Sequence, residues 1–206
     1  MPSLTLLMDN DALLKAAHWD LLDTVPTLAE CRWVDTACLP HFPPRVARVE
    51  PKLFASPGVA QALLARLAQC QPLPAPDVEM LNSLQSHPGI DAGELLLVGA
   101  LAATPAAFLL TGDKRALSAL ARTDAISGCR RRFICVEQLL WRGLDQLGPA
   151  ELTKRLRRWE FRDEAVRAIV GSDGVKSDAD LREGLRSYLH SLDHDAPALL
   201  VRGLGL

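Results

Sequence analysis

Three acidic residues in separate parts of the chain, Asp9, Glu94 and Asp113, have the type and setting to carry chemistry. Asp9 and Asp113 each end a short apolar run and each precede a helix-forming segment. Glu94 lies in Asp91-Ala92-Gly93-Glu94, just ahead of Leu95-Leu96-Leu97-Val98. In an open α/β sheet the residue after a strand stands at the carboxyl edge, where ligands bind. Carboxylates brought there from three segments suit a hard divalent cation, Mg2+ or Mn2+, which takes oxygen ligands and meets substrate phosphates. The same residues have a plainer use. Asp9 and Asp113 occupy helix N-cap positions, and Asp91 with Glu94 has capping-box spacing, with Asp in place of Ser or Thr. Spacing alone leaves both readings open.

The elements that would position these acids follow from apolar runs and their punctuation. Residues 4–8 read as a buried strand, and Asp9-Asn10-Asp11 opens a helix through Leu13, Leu14 and Ala17. Trp33 and Val34 suggest a strand, while Pro40, Pro43, Pro44 and Pro51 mark loops. Ser56-Pro57 starts a helix with Val59, Leu63, Leu64 and Leu67 on one face. Pro72, Pro74 and Pro76 lead to a helix over 78–84, stopped by His87-Pro88-Gly89. Asp91 begins the next, residues 106–110 form a second strand, and a helix follows from Lys114 to about Arg122. Residues 132–136 are a third strand, with a helix from Glu137 toward Leu144. Strands alternating with helices predict a parallel sheet covered on both faces. Beyond Gly148-Pro149 the periodicity is helical, with a turn expected at 171–174 and a helix opened by Ser177-Asp178. The predicted organisation is an α/β domain over 1–145 and a helical extension over 149–206.

In this order the three segments resemble the PIN-domain family over residues 1–145. Leu6-Leu7-Met8-Asp9-Asn10-Asp11-Ala12-Leu13-Leu14 looks like its first strand, acid and helix start. Asp91-Ala92-Gly93-Glu94-Leu95-Leu96-Leu97 looks like its central Gly-Glu helix. Phe108-Leu109-Leu110-Thr111-Gly112-Asp113-Lys114-Arg115 resembles its later strand followed by Thr-Asn-Asp. The resemblance implies a PIN-like parallel sheet flanked by helices and a metal-dependent ribonuclease of bacterial type. Asp9, Glu94 and Asp113 match the family's metal-binding acids, and Thr111 its nearby hydroxyl. The family's further acid shortly after the third has no match, because Lys114, Arg115, Ala116 and Leu117 follow. Gly112 stands where Asn is usual, and Asp11 is the acid closest to hand as a substitute. Hydrolysis of RNA phosphodiesters with Mg2+ or Mn2+ is one expectation. A second is a degenerate site on a module that acts through its C-terminal helices, docking a partner or forming a homodimer; a third is a toxin with a cognate protein inhibitor.

Composition narrows the classes further. At 206 residues with 49% hydrophobic content, the chain can bury a core, which excludes wholesale disorder. The formal net charge of -2 excludes a strongly basic nucleic-acid coat. It hides polarity: residues 130–167 hold ten Lys and Arg against six acids, and residues 1–50 four against seven. Arg130, Arg131 and Arg132 are therefore candidates for RNA contact. The alternative is solvated helix faces paired with Glu151, Glu160, Asp163 and Glu164; Arg162 belongs to the same basic stretch. Five cysteines without a Cys-x-x-Cys pair read as reduced thiols of a cytoplasmic protein. The first residues, Met1-Pro2-Ser3, carry no basic charge of the kind a secretory signal has. Residues 95–112 are uncharged throughout, but Gly99 and Pro105 interrupt them, so a buried helix, turn and strand are expected, with no membrane span.

Overall fold

The molecule, described by a computed structural model over residues 4–50, 52–159, 163–171 and 176–206, builds its strands from residues that alternate between two apolar layers. Residues 1–3, Pro51, Glu160, Arg162 and most of the expected turn at 171–174 lie outside the described residues. In chain order the elements are β1 (Leu6–Met8), α1 (Asn10–His18), β2 (Thr36–Cys38), α2 (Phe42–Ala47), α3 (Pro57–Leu67), α4 (Val78–Leu84), α5 (Ala92–Ala103), β3 (Phe108–Thr111), α6 (Lys114–Leu120), β4 (Phe133–Cys135), α7 (Val136–Leu156), α8 (Glu164–Val170) and α9 (Asp178–Asp195). The strands form a parallel sheet in the order β2-β1-β3-β4. Leu6, Met8, Leu110 and Ile134 point into one buried layer, while Leu7, Leu109, Phe133 and Cys135 point into the other. Burial on both faces is why these strands read as unbroken apolar runs. The fold is α/β, a parallel sheet flanked by helices.

Two expectations change. Residues 33–35 form a 3-10 turn, and the strand begins at Thr36. Asp35 Oδ2 accepts the Arg32 main-chain N–H at 3.1 Å, and the Thr36 hydroxyl donates to the Trp33 carbonyl at 2.8 Å. These local bonds hold a turn and delay pairing with β1. Pro43 and Pro44, expected in a loop, lie in the first turn of α2. There a missing N–H costs nothing, because the first turn has no intrahelical acceptors for it.

The C-terminal region is helical and shares the core of the sheet. α7 runs on through Gly148-Pro149, kinking where Gly148 takes φ +74°. Leu152, Leu156, Val166, Ile169, Val170, Leu181 and Leu185 join the layer that holds Leu6 and Met8. Leu189, Leu192, Leu199 and Leu200 join the opposite layer. The chain then pairs with the free edge of β4. Phe133 N–H donates to Leu199 O at 3.1 Å, and Val201 N–H donates to Phe133 O at 2.9 Å. A segment with no strand pattern of its own thus covers a sheet edge that would otherwise be exposed. The uncharged stretch 95–112 becomes part of α5, a turn and β3. Among the described residues no helix is long and apolar enough to cross a membrane.

Arg132 ties these parts together at the amino end of β4. Its guanidinium donates to the carbonyls of Ala107 at 2.9 Å, Gly128 at 3.3 Å and Leu101 at 2.7 Å, and also to Thr104. The Leu101 and Thr104 carbonyls belong to the end of α5, where helical N–H donors run out. Replacing Arg132 with Ala removes all four bonds, although Leu101 O and Thr104 O keep main-chain donors in Thr104 N–H at 3.1 Å and Ala107 N–H at 3.0 Å. It is expected to lower stability by about 2–3 kcal/mol in urea melts. Arg132→Lys should recover little, since one ammonium cannot span the fork.

Candidate active site

β1 and β3 are neighbours, yet the chain leaves β1 for β2 on one side and leaves β3 for β4 on the other. This reversal opens a crevice beyond their carboxyl ends, the usual ligand position in such sheets. Asp9 directly follows β1 and Asp113 lies two residues past β3. The Asp9 N–H donates to Leu110 O at 2.9 Å, which extends the pairing as far as the acid. An open cleft of about 720 Å³ lies there, lined by Asp9, Asp11, Asp91, Glu94, Asp113, Asp163 and Glu164. Lys15, Arg45, Lys114 and Arg115 face the same space, so its walls are net acidic.

The three expected acids meet in this cleft, and each is held differently. Asp9 has the extended backbone of an N-cap but makes no side-chain cap bond. Burial pushes its pKa up to about 6, Asp11 and Asp113 adding to the rise and the N–H groups of Asn10 and Gly112 opposing it. Glu94 and Asp91 do form the reciprocal capping box: Glu94 N–H donates to Asp91 Oδ1 at 2.8 Å, and Asp91 N–H donates to Glu94 Oε2 at 2.7 Å. Burial also pushes the Glu94 pKa up to about 7, with the charges of Asp113 and Asp91 and a hydrogen bond shared with Asp113 acting in the same direction. Asp113 caps α6 through Oδ1, which accepts from Arg115 N–H at 2.8 Å and Ala116 N–H at 3.0 Å. Its own N–H donates to the Thr111 hydroxyl at 3.1 Å, which makes Thr111 the residue that sets the Asp113 turn. Capping engages one oxygen of each: Glu94 through Oε2 and Asp113 through Oδ1.

Asp11 is drawn into the cleft. A Cβ on Gly112 would lie 2.4 Å from Asp11 Oδ2, so the absence of a side chain at 112 is what makes room for this carboxylate. Asp11 pairs with Lys15 at 2.9 Å, and Lys15 also pairs with Asp163 at 2.9 Å. Burial opposes the charge on Lys15, but Asp11 and Asp163 more than offset it and raise its pKa. Asp163 caps α8 and is held ionised: burial raises its pKa, while the Val166 N–H, Lys15 and Lys114 together lower it. Arg115 extends into solvent with its side chain 92% exposed and stands 3.9 Å from Asp113. Lys114 reaches to Glu137 at 2.5 Å.

Three contributors were not singled out from the sequence. Lys15 carried a signal, an i,i+4 pair with Asp11. So did Glu137, an acid just past the third strand as Asp9 and Asp113 are just past theirs. Asp163 had only a cap position far along the chain. Arg130, Arg131 and Arg132 stand at the amino end of β4, across the sheet from the acids, and the Arg132 guanidinium is taken up by carbonyls. In the later basic segment, Arg155 pairs with Glu151 at 2.9 Å, Arg158 with Asp20 at 3.6 Å and Lys154 with Glu151 at 3.5 Å. These are paired helix faces.

The donor set suits a hard divalent cation. Carboxylates crowded until burial and like charge hold them toward neutrality gain most from a positive ion among them. Among the described residues no three such groups already stand at ligand geometry. Glu94 Oε2 and Asp113 Oδ1 are turned to main-chain N–H groups instead. Comparison of the chain with family models, with curated proteins and with solved structures finds no match.

Two outcomes follow from this geometry. Gly112→Ala should destabilise the protein by about 1–2 kcal/mol, and in an Asp11→Ala background the penalty should largely vanish; a double-mutant cycle of urea melts measures the coupling. The folded pKa values of Asp9 and Glu94 lie above their ordinary 3.8 and 4.5. Between those limits the folded form holds more protons than the unfolded form, so metal-free stability falls as pH rises through about 4 to 7. Asp9→Asn should be more stable than wild type in EDTA at pH 8, by on the order of 1–2 kcal/mol, and nearly equal to it at pH 4.

Proposed function

We propose that the chain is a PIN-like, Mg2+- or Mn2+-dependent ribonuclease that hydrolyses RNA phosphodiester bonds at the Asp9, Glu94 and Asp113 carboxylates. The observation that carries this reading is the meeting of these acids, from three segments, in one cleft at the β1/β3 reversal. The order of the motifs along the chain supports the same family.

Asp9, Glu94 and Asp113 would hold the cation, with Asp11, already paired to Lys15, as a supporting acid beside them. A divalent ion bound there would lower the pKa of a coordinated water and stabilise charge on the phosphate. The chain's own contribution is orientation and proton balance. Thr111 fixes the Asp113 turn, and Asp91 fixes the Glu94 carboxylate through the capping box. Glu94, raised to about 7 by burial and its acidic neighbours, must give up its proton for the cation to bind. The cleft is open to solvent, which suits a single strand of RNA entering it.

A second reading, a degenerate binding module, is favoured by one observation: Lys15 and Lys114 already neutralise Asp11 and Glu137. Cleavage of a single-stranded RNA pool with Mn2+ separates the two. Wild type should cut, and Asp9→Asn should lose at least about a hundredfold in rate, the loss expected when a metal ligand goes. Equal background in both would exclude catalysis. Mn2+ affinity should also tighten as pH rises from about 5.5 to 7.5, because Asp9 and Glu94 release protons over that range. Titration calorimetry in two buffers of different ionisation enthalpy reads both the affinity and the proton release.

A further inference from the structure

The net acidic walls of the cleft repel a polyanion, so an RNA strand needs cations beside it to be held there. Most cations at the cleft are already committed. Lys15 is paired with Asp11 and Asp163, and Arg45 with Glu50 at 3.8 Å. Lys114 is paired with Glu137, its ammonium 4.9 Å from the centre of the Tyr188 ring. Arg115 is the exception. It lies in the first turn of α6, where a cation opposes the helix dipole, and Asp113 at 3.9 Å returns little to so exposed a side chain.

From Arg115 a groove leads away from the acids. Asp91, Glu94, Asp113 and Arg115 border both the acid cleft and a neighbouring hollow of about 360 Å³ that reaches Gly89. Gly89 and Arg115 in turn border a further groove of about 330 Å³. Pro88 and Gly89 form one wall of this groove, and Lys114, Arg115, Ser118 and Arg122 form the other. A Cβ on Gly89 would lie 3.3 Å from Ala119 Cβ, so the two walls close against each other at the floor. Arg115, Ser118 and Arg122 are spaced three and four apart, which puts them on one face of α6 and the turn that ends it. All the charged residues lining this groove are cations. Arg122 is exposed and forms no ion pair among the described residues.

We propose that the groove between Pro88-Gly89 and α6 is a phosphate subsite, in which Arg115 and Arg122 grip the sugar-phosphate backbone of a single RNA strand whose reacting linkage lies at the acids. The inference rests on reading the acid cleft as a ribonuclease site for the identity of its ligand, and not on the presence of a metal ion. A planar guanidinium meets a phosphate through two parallel N–H bonds, and an exposed one gives up no protein partner to do so. Contacts of this kind fix the register of the strand without reading its bases. The strand passes from Asp113 over Arg115 to Arg122, so the chain holds its substrate on one side of the reacting phosphate.

Binding of a labelled single-stranded RNA oligomer in EDTA, read by fluorescence anisotropy over a series of NaCl concentrations, tests the groove without cleavage. Wild type should bind at low salt. Each phosphate contact to a single strand contributes about 0.7 to the slope of log K against log salt. Arg115→Gln and Arg122→Gln should each lower that slope by about 0.7, and the double variant by about 1.4. At 0.1 M NaCl, taken against 1 M, these slopes amount to about fivefold and about 25-fold weaker binding. Arg130→Gln, across the sheet from the acids, should leave the slope unchanged. Both groove arginines are exposed, so the variants should melt in urea as wild type does. An unchanged slope in either arginine variant, an equal fall in Arg130→Gln, or no binding by wild type would overturn the inference, whether or not RNA is cut with Mn2+. Equal cleavage by wild type and Asp9→Asn would defeat the ribonuclease reading alone, and the salt slopes would still decide the groove.

Discussion

The parallel pairing of β1 with β3 is the constraint on which the site depends. Leu6, Leu7 and Met8 stand opposite Phe108, Leu109 and Leu110, so both strands stop at the same height. The next residues, Asp9 on one strand and the Thr111-Gly112-Asp113 turn on the other, have to meet. No apolar core can follow them there, because a carboxylate at each strand end demands solvent, a proton or a cation. Burial of Leu7, Leu109 and their neighbours thus fixes how closely the charges approach. The repulsion between them is set by the fold and cannot relax unless the sheet frays.

The surroundings divide this charge into two kinds. Asp11, Asp163 and Glu137 have lysine partners, and their negative charge is spent within the protein. Asp9 and Glu94 have no cation partner among the described residues, and burial with neighbouring acids drives both toward the protonated form. Lysine against three carboxylates but not against the others is a selective arrangement. Asp113, the third acid at the β1/β3 reversal, stands 3.9 Å from the exposed Arg115. The C-terminal region takes part in this division, since Asp163 comes from α8 and Tyr188 from α9. It also closes the β4 edge, so the same segment contributes to the sheet and to the cleft.

Much of this was legible in the chain, for physical reasons that differ by element. β1, β3 and β4 are apolar on both faces, and parallel strands buried in this way show as short unbroken runs. α4 and α5 carry their own start signals in Asp77 and Asp91, whose side chains accept N–H bonds three residues on. β2 was misplaced by three residues, because the turn at Trp33 depends on Asp35 and Thr36 reaching back to the main chain. The edge pairing of Leu200 with Phe133 was invisible, since a single bridge imposes no pattern on the sequence. In the cleft, Asp9, Glu94 and Asp113 were singled out by their position in the sequence. The fit of Asp11 against Gly112 depends on a side chain crossing between elements about a hundred residues apart, which no local periodicity encodes.

The arginines illustrate how charge statistics mislead without topology. Residues 130–132 and the later basic stretch gave a local excess of positive charge, and in a sequence that suggests a phosphate surface. In the fold, β4 runs so that its amino end, with Arg132, lies across the sheet from the acids. The guanidinium is used where α5 runs out of helical N–H donors. Arg155 and Arg158 are committed to Asp20 and Glu151. Positive charge that does reach the cleft comes instead from Lys15, Arg45, Lys114 and Arg115, of which the two lysines are fixed by acids. A polyanion entering the cleft would meet these two ammoniums at fixed positions.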